Sequence, residues 1–451
     1  MTKNILVLGL GKSGIAVARH VLSDKDNLTI YAGASSEKTK TAAKEFLDSG
    51  VEVVFDCEQV QGHYDLCVVC PGIPQTSEFY KSAQAASDEL ISEPEFAFRL
   101  SPQDWIAVTG TNGKTTCTSC IAHVFNECGK NAYACGNIGE TTTESVERRR
   151  EDETLVAEMS SYQLASSISF SPRTACLLNI TPDHLSWHGS LLAYAQAKFK
   201  IFQNLYKGQS AIICEGIDGI EPVASELIAR GVRVIWVGSK RSCDCAYEQD
   251  NKLIVEIDGI KHALCTIQDL QIKGKHNVLN ALVVASVAID YGFDDMSVAA
   301  ALCSFEPLEH RIEPVATIDG IAFFNDSKAT NVDASLQALT AFPGQGIHLL
   351  LGGTDKGTSL DALVDACKDT CVDIICYGDA GQRFYDAFES SSLPRVLCKN
   401  MREAFDYACE HAKSGEVVLL SPSCASFDEF DSFIHRGKVF KSWVFEKAER
   451  Q

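Results

Sequence analysis

Several things are scarce in this 451-residue sequence, and each scarcity excludes something. No uncharged apolar run approaches the ~18–20 residues that a membrane-crossing helix needs, so no transmembrane segment and no membrane partner are expected. Basic side chains are in deficit, 40 against 60 acidic ones for a net charge of -20. That balance disfavours non-specific attraction to nucleic acid or to an anionic surface. The first apolar stretch, Ile5 to Leu8, is too short for the core of a secretion signal. The 19 cysteines are scattered, so reduced thiols in a cytoplasmic protein are the expectation. Neither a solenoid period nor a low-complexity tract is visible, and the charged stretch VERRREDE, Val146 to Glu153, reads as a solvated helix end or loop.

What is present fits a folded chain of about three domains, with 45% hydrophobic and 22% charged residues. Apolar strand signals at Ile5 to Leu8, Val51 to Phe55 and Leu66 to Val69 alternate with helical spacing. The same alternation runs from Trp105 to a long helix over Val278 to Tyr291. It returns at Ile347 to Leu351, Val372 to Cys376 and Val417 to Leu420. Breaks are expected at RLSPQD, Arg99 to Asp104, and at Phe305 to Ile312. The expected fold is therefore α/β in three domains, 1–100, 101–308 and 309–451. The outer two are Rossmann-like and the central one is a P-loop type with a mostly parallel sheet.

The strongest motif is TGTNGKTT, Thr109 to Thr116, between an apolar strand and a helix. Backbone amides and the helix N-terminus can surround phosphate oxygens there. Gly110 and Gly113 permit close approach, Lys114 offers a point charge, and the Thr115 hydroxyl can ligate Mg²⁺. ATP is the predicted ligand, although Val108 stands where a strict P-loop has glycine. Gly9, Gly11 and Gly14 match a G-x-G-x-x-G turn suited to a diphosphate. A nicotinamide cofactor would need an acid after the second strand, and Ala32, Gly33 and Ala34 stand there. That disfavours an NAD-dependent oxidoreductase.

Other candidates lie at strand ends. Glu158 follows Leu155 to Ala157, and Asn179, Asp183 and His184 follow Ala175 to Leu178, so a carboxylate and an imidazole could hold a divalent cation beside the nucleotide. NDSKATN, Asn325 to Asn331, and SPSCASFDEFDSF, Ser421 to Phe433, are too polar for a core, and either a charged ligand or a helix-capping turn would account for the first. Cys67 and Cys70 sit at an odd spacing on a strand, while Cys117 and Cys120 share a helix face with no second pair to complete a zinc site. Packing is the reading favoured for these thiols.

The combination of TGTNGKTT, AEMSSYQL, NITPDHL, AQAKFKIF, GKHNVLNAL, HRIE, NDSKATN, LGGTDKG and SPSCASFDEF resembles the Mur ligase family over nearly the whole chain. The resemblance implies an ATP-dependent ligase that forms an amide bond through an acyl phosphate and releases ADP, in cytoplasmic peptidoglycan precursor synthesis. NDSKATN, SPSCASFDEF and GLGKSG resemble the members that join UDP-N-acetylmuramoyl-L-alanine to D-glutamate, rather than those adding L-alanine, a diamino acid or a folate-linked glutamate. A carboxylate is a poor acyl donor, and phosphorylation supplies the leaving group it lacks.

The resemblance also implies site residues. Catalysis falls to Lys114, Glu158, His184 and Lys198; ATP to Gly110, Thr111, Asn112, Gly113, Lys114, Thr115, Thr116, Asn277, Arg311 and Asp326. Two Mg²⁺ ions would be held by Thr115, Glu158, His184 and a carbamylated Lys198, with nearby Lys200 as the residue it could be confused with. The UDP-sugar falls to Gly11, Ser13, Gly14, Gly72, Asn137, Ser160 and Gln163, and D-glutamate to Lys328, Thr330, Lys356, Ser426 and Phe433. Departures from the family pattern are the neutral Ala32 to Ser35, Ala165 for a common glutamate and Ser186 for the usual aspartate.

Overall fold

A computed structural model describes residues 2–355 and 357–449. Alternating β and α signals resolve into three sheets. The first is wholly parallel: β1 (Asn4–Leu8), β2 (Asn27–Gly33), β3 (Glu52–Phe55), β4 (Leu66–Val69) and β5 (Leu90–Ser92) lie in the order β3-β2-β1-β4-β5. The order reverses at β1, where α/β sheets place ligands beyond the strand ends. The glycine turn follows this strand. A Cβ on Gly14 would stand 2.2 Å from the Gly9 carbonyl oxygen, so only glycine lets the helix Lys12–Ser23 pack so close to the turn.

The second sheet comprises β6 (Trp105–Thr109), β7 (Ala132–Gly136), β8 (Thr154–Glu158), β9 (Thr174–Leu177), β10 (Ser210–Cys214), β11 (Arg233–Gly238), β12 (Cys245–Gln249), β13 (Lys252–Ile257) and β14 (Ile260–Thr266). Their order is β14-β13-β12-β11-β10-β9-β6-β8-β7. Strand β6 lies between β8 and β9, so the glycine loop, Glu158 and the segment from Asn179 emerge at neighbouring strand ends. The sheet is parallel from β7 to β12, as the alternation predicts, but β12, β13 and β14 form an antiparallel meander that the strand and helix count did not anticipate.

The third sheet runs β15-β16-β20-β17-β18-β19, from β15 (Glu313–Ile318), β16 (Ile321–Asn325), β17 (Ile347–Gly352), β18 (Cys371–Tyr377), β19 (Arg395–Leu397) and β20 (Val417–Leu420). Only β15 is antiparallel to its neighbour. The turns explain all three hairpins. Asp250–Asn251, Asp258–Gly259 and Asp319–Gly320 have both residues at positive φ, from 50° to 77°. Two-residue turns of that kind match the strand twist, and Asp-Gly is a strong signal for them.

The chain divides into two compact units, one running to Asp269 and including Leu279–Cys303, the other formed by Leu270–Val278 and the chain from Ser304. The first unit holds the first two sheets, and the helix Glu93–Leu100 fastens them together. Its buried Glu95 carboxylate accepts from the backbone N–H groups of Ser169, at 3.0 Å, and Phe170, at 2.8 Å, while Arg99 donates to it at 2.8 Å. Glu93, also buried, accepts from Thr142 Oγ1 and Thr143 Oγ1, each at 2.7 Å.

The stretch VERRREDE is not simply solvated. The helix Thr142–Arg148 ends in it, and half-buried Arg149 donates to Ser101 Oγ at 2.9 Å and to the Glu153 carbonyl at 2.8 Å. All 19 cysteines are free thiols; Cys67, Cys70, Cys117 and Cys120 are buried, and burial pushes Cys70 up to about 11. Among the described residues no helix is long and apolar enough to cross a membrane.

Candidate active site

The nucleotide loop begins where β6 ends. Gly113 has φ 85°, and a Cβ there would stand 2.7 Å from Asn280 Oδ1. The helix Lys114–Glu127 starts on that glycine with no side-chain cap and no acidic residue in its first turn. No acidic residue of the helix itself competes for its first N–H groups and dipole, which suits an anion. Asn179 shapes the loop: its Oδ1 accepts from the N–H groups of Thr111, at 3.0 Å, and Asn112, at 2.8 Å, and its Nδ2 donates to the Asn112 carbonyl at 3.0 Å. Thr111 Oγ1 lies 3.1 Å from the Tyr194 hydroxyl. Asn179, a strand-end candidate of the sequence, thus shapes the loop, whereas Tyr194 is a loop-shaping residue that the motifs did not reveal, because it is an ordinary helix aromatic.

Two lysines converge on this loop. Lys114 Nζ donates to the carbonyls of Gly110, at 2.9 Å, and Thr111, at 2.8 Å. Lys198 Nζ donates to the same Gly110 carbonyl at 2.7 Å and stands 4.6 Å from the centre of the Tyr194 ring. Lys198 is only 1% exposed. Burial, aided by the charge of Lys114, holds its ammonium well below the ordinary lysine range. Lys200, by contrast, donates to the Ala165 carbonyl, so the two neighbouring lysines are distinguished by what they touch.

Glu158 ends β8 and is 2% exposed. Its Oε2 accepts from Thr115 Oγ1 at 2.7 Å and its Oε1 from Asn137 Nδ2 at 2.8 Å. A hydroxyl and a carboxylate in contact beside a phosphate loop are hard oxygen donors that fit Mg²⁺. Among the described residues no group of three or more His, Cys, Asp or Glu forms a protein-only cage. His184 has φ 56°, its Nε2 is 3.6 Å from Asp183 Oδ2, and its ring lies 4.9 Å from Tyr162 and 6.3 Å from Tyr194.

At the first sheet, Gly11 caps the helix Lys12–Ser23 without a side-chain bond, and Ser13 and Gly14 lie in its first turn. Gly72 sits in the turn after β4. Ser160 and Gln163 form a capping box: Ser160 Oγ accepts from the Gln163 N–H at 3.2 Å, while Gln163 Oε1 accepts from the Ser160 N–H at 2.8 Å and hydroxyl at 2.9 Å. Gln163 is buried and its amide oxygen is committed to the helix start, a local role that its position after SSY would have predicted.

In the second unit, buried Asn277 donates from Nδ2 to the Lys273 carbonyl at 2.8 Å. Arg311 sits between His310 and Ile312, at φ 67° and 45°, in a sharply turned segment. Asp326 accepts from Ser421 Oγ at 2.7 Å and from the Ile312 N–H at 3.2 Å, and burial pushes its carboxyl up to about 7. Lys328 donates its N–H to the His310 carbonyl at 3.1 Å, with its ammonium 4.8 Å from the Phe433 ring centre. Thr330 donates its N–H to the Lys328 carbonyl at 2.9 Å. Ser426 is buried, and its carbonyl accepts from the Phe430 N–H at 2.8 Å. Asn331 caps the helix Val332–Leu339, so part of NDSKATN is a helix cap. Lys356 lies outside the described residues.

Residues 108–288 match the model of the Mur ligase middle domain, and residues 310–424 that of the Mur ligase glutamate ligase domain. The UDP-N-acetylmuramoylalanine–D-glutamate ligase of Thermoanaerobacter sp. (strain X514) is 36% identical, covering 98% of each chain. The enzyme of that name from Koribacter versatilis is 34% identical over 100% of this chain and 98% of its own. Among solved structures, MurF from Acinetobacter baumannii has a TM-score of 0.64 at 16% identity, covering 98% of this chain and 93% of that one. MurF ligase from Thermotoga maritima in complex with ADP has a TM-score of 0.61 at 14% identity and 99% coverage of both.

Proposed function

The chain belongs to the Mur ligase family, and from that premise we propose that it joins UDP-N-acetylmuramoyl-L-alanine to D-glutamate at the expense of ATP, in cytoplasmic peptidoglycan precursor synthesis. The observation that carries the ATP-dependent step is the convergence of Lys114, Lys198 and the Thr115–Glu158 pair on one glycine loop. The choice of D-glutamate is supported by the full-length similarity to ligases of that name and by Lys328 and Phe433 standing together.

In this reading residues 1–100 bind the UDP-sugar, 101–308 bind ATP and 309–451 bind the amino acid. Gly11, Ser13, Gly14 and Gly72 receive the diphosphate end of the substrate, and Asn137 and Ser160 lie along its course, with Gln163 supporting Ser160. Gly110 to Thr116 wrap the ATP phosphates, and Asn277, Arg311 and Asp326 are further ATP contacts. Lys114 stabilises charge on the transferred phosphoryl group as the substrate carboxylate attacks it. Bound Mg²⁺ would draw charge from the phosphate oxygens, and Thr115, Glu158, His184 and Lys198 would hold two such ions. Lys198 could do so only as a carbamate. A buried amine that sheds its proton readily is the form able to add to CO₂, and addition turns a cation into an oxygen ligand. The D-glutamate amine then displaces phosphate from the acyl carbon, with Lys328, Thr330, Lys356, Ser426 and Phe433 receiving the amino acid.

A panel of amino acids offered with the muramoyl nucleotide and ATP tests the reading. Phosphate release should require both the nucleotide and D-glutamate, with L-glutamate a poor substitute. Equal turnover of the two enantiomers would remove the substrate assignment.

A further inference from the structure

The side chain that organises the amino-acid end of the second unit carries no motif. Arg436, in the helix Phe433–Glu449, is 0% exposed. Its Nε donates to Ser327 Oγ at 2.9 Å, one terminal nitrogen donates to the Ala425 carbonyl at 3.2 Å, and the other donates to the carbonyls of Ser327, at 2.8 Å, and Cys424, at 3.0 Å. One guanidinium thus spans two loops far apart in sequence, the one bearing Lys328 and the one bearing Ser426.

A third loop is drawn in by contact. The Thr354 N–H donates to the Ala425 carbonyl at 2.8 Å, and a Cβ on Gly353 would stand 2.1 Å from that carbonyl oxygen and 3.1 Å from the arginine. Ser327 Oγ passes the linkage on by donating to the Phe433 carbonyl at 2.8 Å. The next residue, Gly437, lets the same helix meet buried His310: a Cβ there would stand 2.3 Å from His310 Nδ1. His310 in turn receives the Lys328 N–H.

None of these hydrogen bonds goes to a carboxylate. Two carboxyls that feel the arginine's charge, Asp326 and Glu429, are both pushed upward by burial, and the arginine opposes that shift in each. Burying a guanidinium that hydrogen-bonds to no carboxylate is costly, and an arginine keeps its charge in proteins. Such a cost is sensible where an anionic ligand completes the balance.

We propose that Arg436 is a positioning residue for amino-acid capture: it sets the register of the loops bearing Lys328, Ser426 and Phe433 and adds its positive charge beneath the dicarboxylate they receive. This rests on the assignment of D-glutamate made above.

The test separates capture of the amino acid from activation of the carboxylate. Arg436→Met and Arg436→Lys are compared with wild type for D-glutamate KM, for kcat, and for acyl phosphate trapped by hydroxylamine without D-glutamate. In Arg436→Met the KM for D-glutamate should rise about tenfold to a hundredfold while trapped acyl phosphate stays within about twofold. Arg436→Lys, which keeps charge and loses the fork, should fall between. An unchanged KM, or equal loss of both activities, would overturn the proposal. Should the methionine variant melt below the assay temperature, Ser327→Ala removes the hydroxyl that links Arg436 to the Phe433 carbonyl and is read the same way, with a KM rise of about threefold to tenfold expected and no rise counting against. A wild-type enzyme that traps acyl phosphate but ignores D-glutamate would instead sink the substrate assignment.

Discussion

Lys198 and Arg436 pose the same electrostatic problem in different parts of the molecule. Each is a long basic side chain with almost no exposed surface, and each donates to backbone carbonyls rather than to a carboxylate. The responses differ because the groups differ. A lysine amine can release its proton when burial penalises the charge, and beside Lys114 it is driven to do so. A guanidinium keeps its charge and spreads it over a fork of donors, which Arg436 uses to bind loops together. The first arrangement favours the uncharged amine; the second makes a fixed positive scaffold. His348 takes a third course. It lies between two carboxylates, Nδ1 at 3.0 Å from Asp373 Oδ1 and Nε2 at 2.9 Å from Glu416 Oε2.

The contrast can be broken at several points. The largest effect is expected at Lys114, whose removal deletes the charge proposed to act on the transferred phosphate and also relieves Lys198. Lys114→Ala should lower acyl-phosphate formation by about 10³-fold, measured as hydroxylamine-trapped product. Normal turnover would mean that the glycine loop is only structural. Next comes Lys198→Arg, which forces a permanent charge into the site where the amine sheds its own. Activity should fall by about 10²-fold, and wild-type enzyme purified with bicarbonate should show one added CO₂ by intact mass, absent from the variant. Full activity of the arginine variant would erase the distinction between the two buried cations.

The smallest effect is expected at His348. Its folded pKa is raised, because hydrogen bonds and charge from Asp373 and Glu416 outweigh the burial that opposes them. Its contribution to stability is therefore fully present below the unfolded histidine value of about 6.5 and fades as pH rises through the folded value. Glu416 is lowered, so its contribution fades in the other direction, as pH falls through the carboxylate range. Melting temperature should accordingly lose part of its pH dependence around neutrality in His348→Gln. Parallel wild-type and variant curves would show that the three groups do not act as an ion-paired set.

How much of this could be read from the residues depends on whether a feature is local. The glycine loop was legible because strand, turn, lysine and helix occupy one stretch, and the structure places them as the spacing predicts. The three α/β layers were legible for the same reason. The antiparallel meander from β12 to β14 was missed although its signal was present: Asp258–Gly259 between two apolar runs marks a two-residue hairpin. Lys198 and Lys200 could not be separated by spacing alone, since the difference is a contact with Gly110, 88 residues away. Arg436 had no signal at all. An arginine on a helix ordinarily covers surface, and its partners, Ser327 and Cys424, become neighbours only when the third sheet forms.

The buried Glu95 carboxylate carries a consequence for motion. It holds the amides of Ser169 and Phe170, which belong to no regular element and would ordinarily trade their hydrogens with solvent quickly. Fastened to a carboxylate on a helix of the neighbouring layer, they can open only when that layer lets go. In deuterated water this short irregular segment should be labelled as slowly as the strands around it, so that a stretch without secondary structure reports on the cohesion of the first unit as a whole.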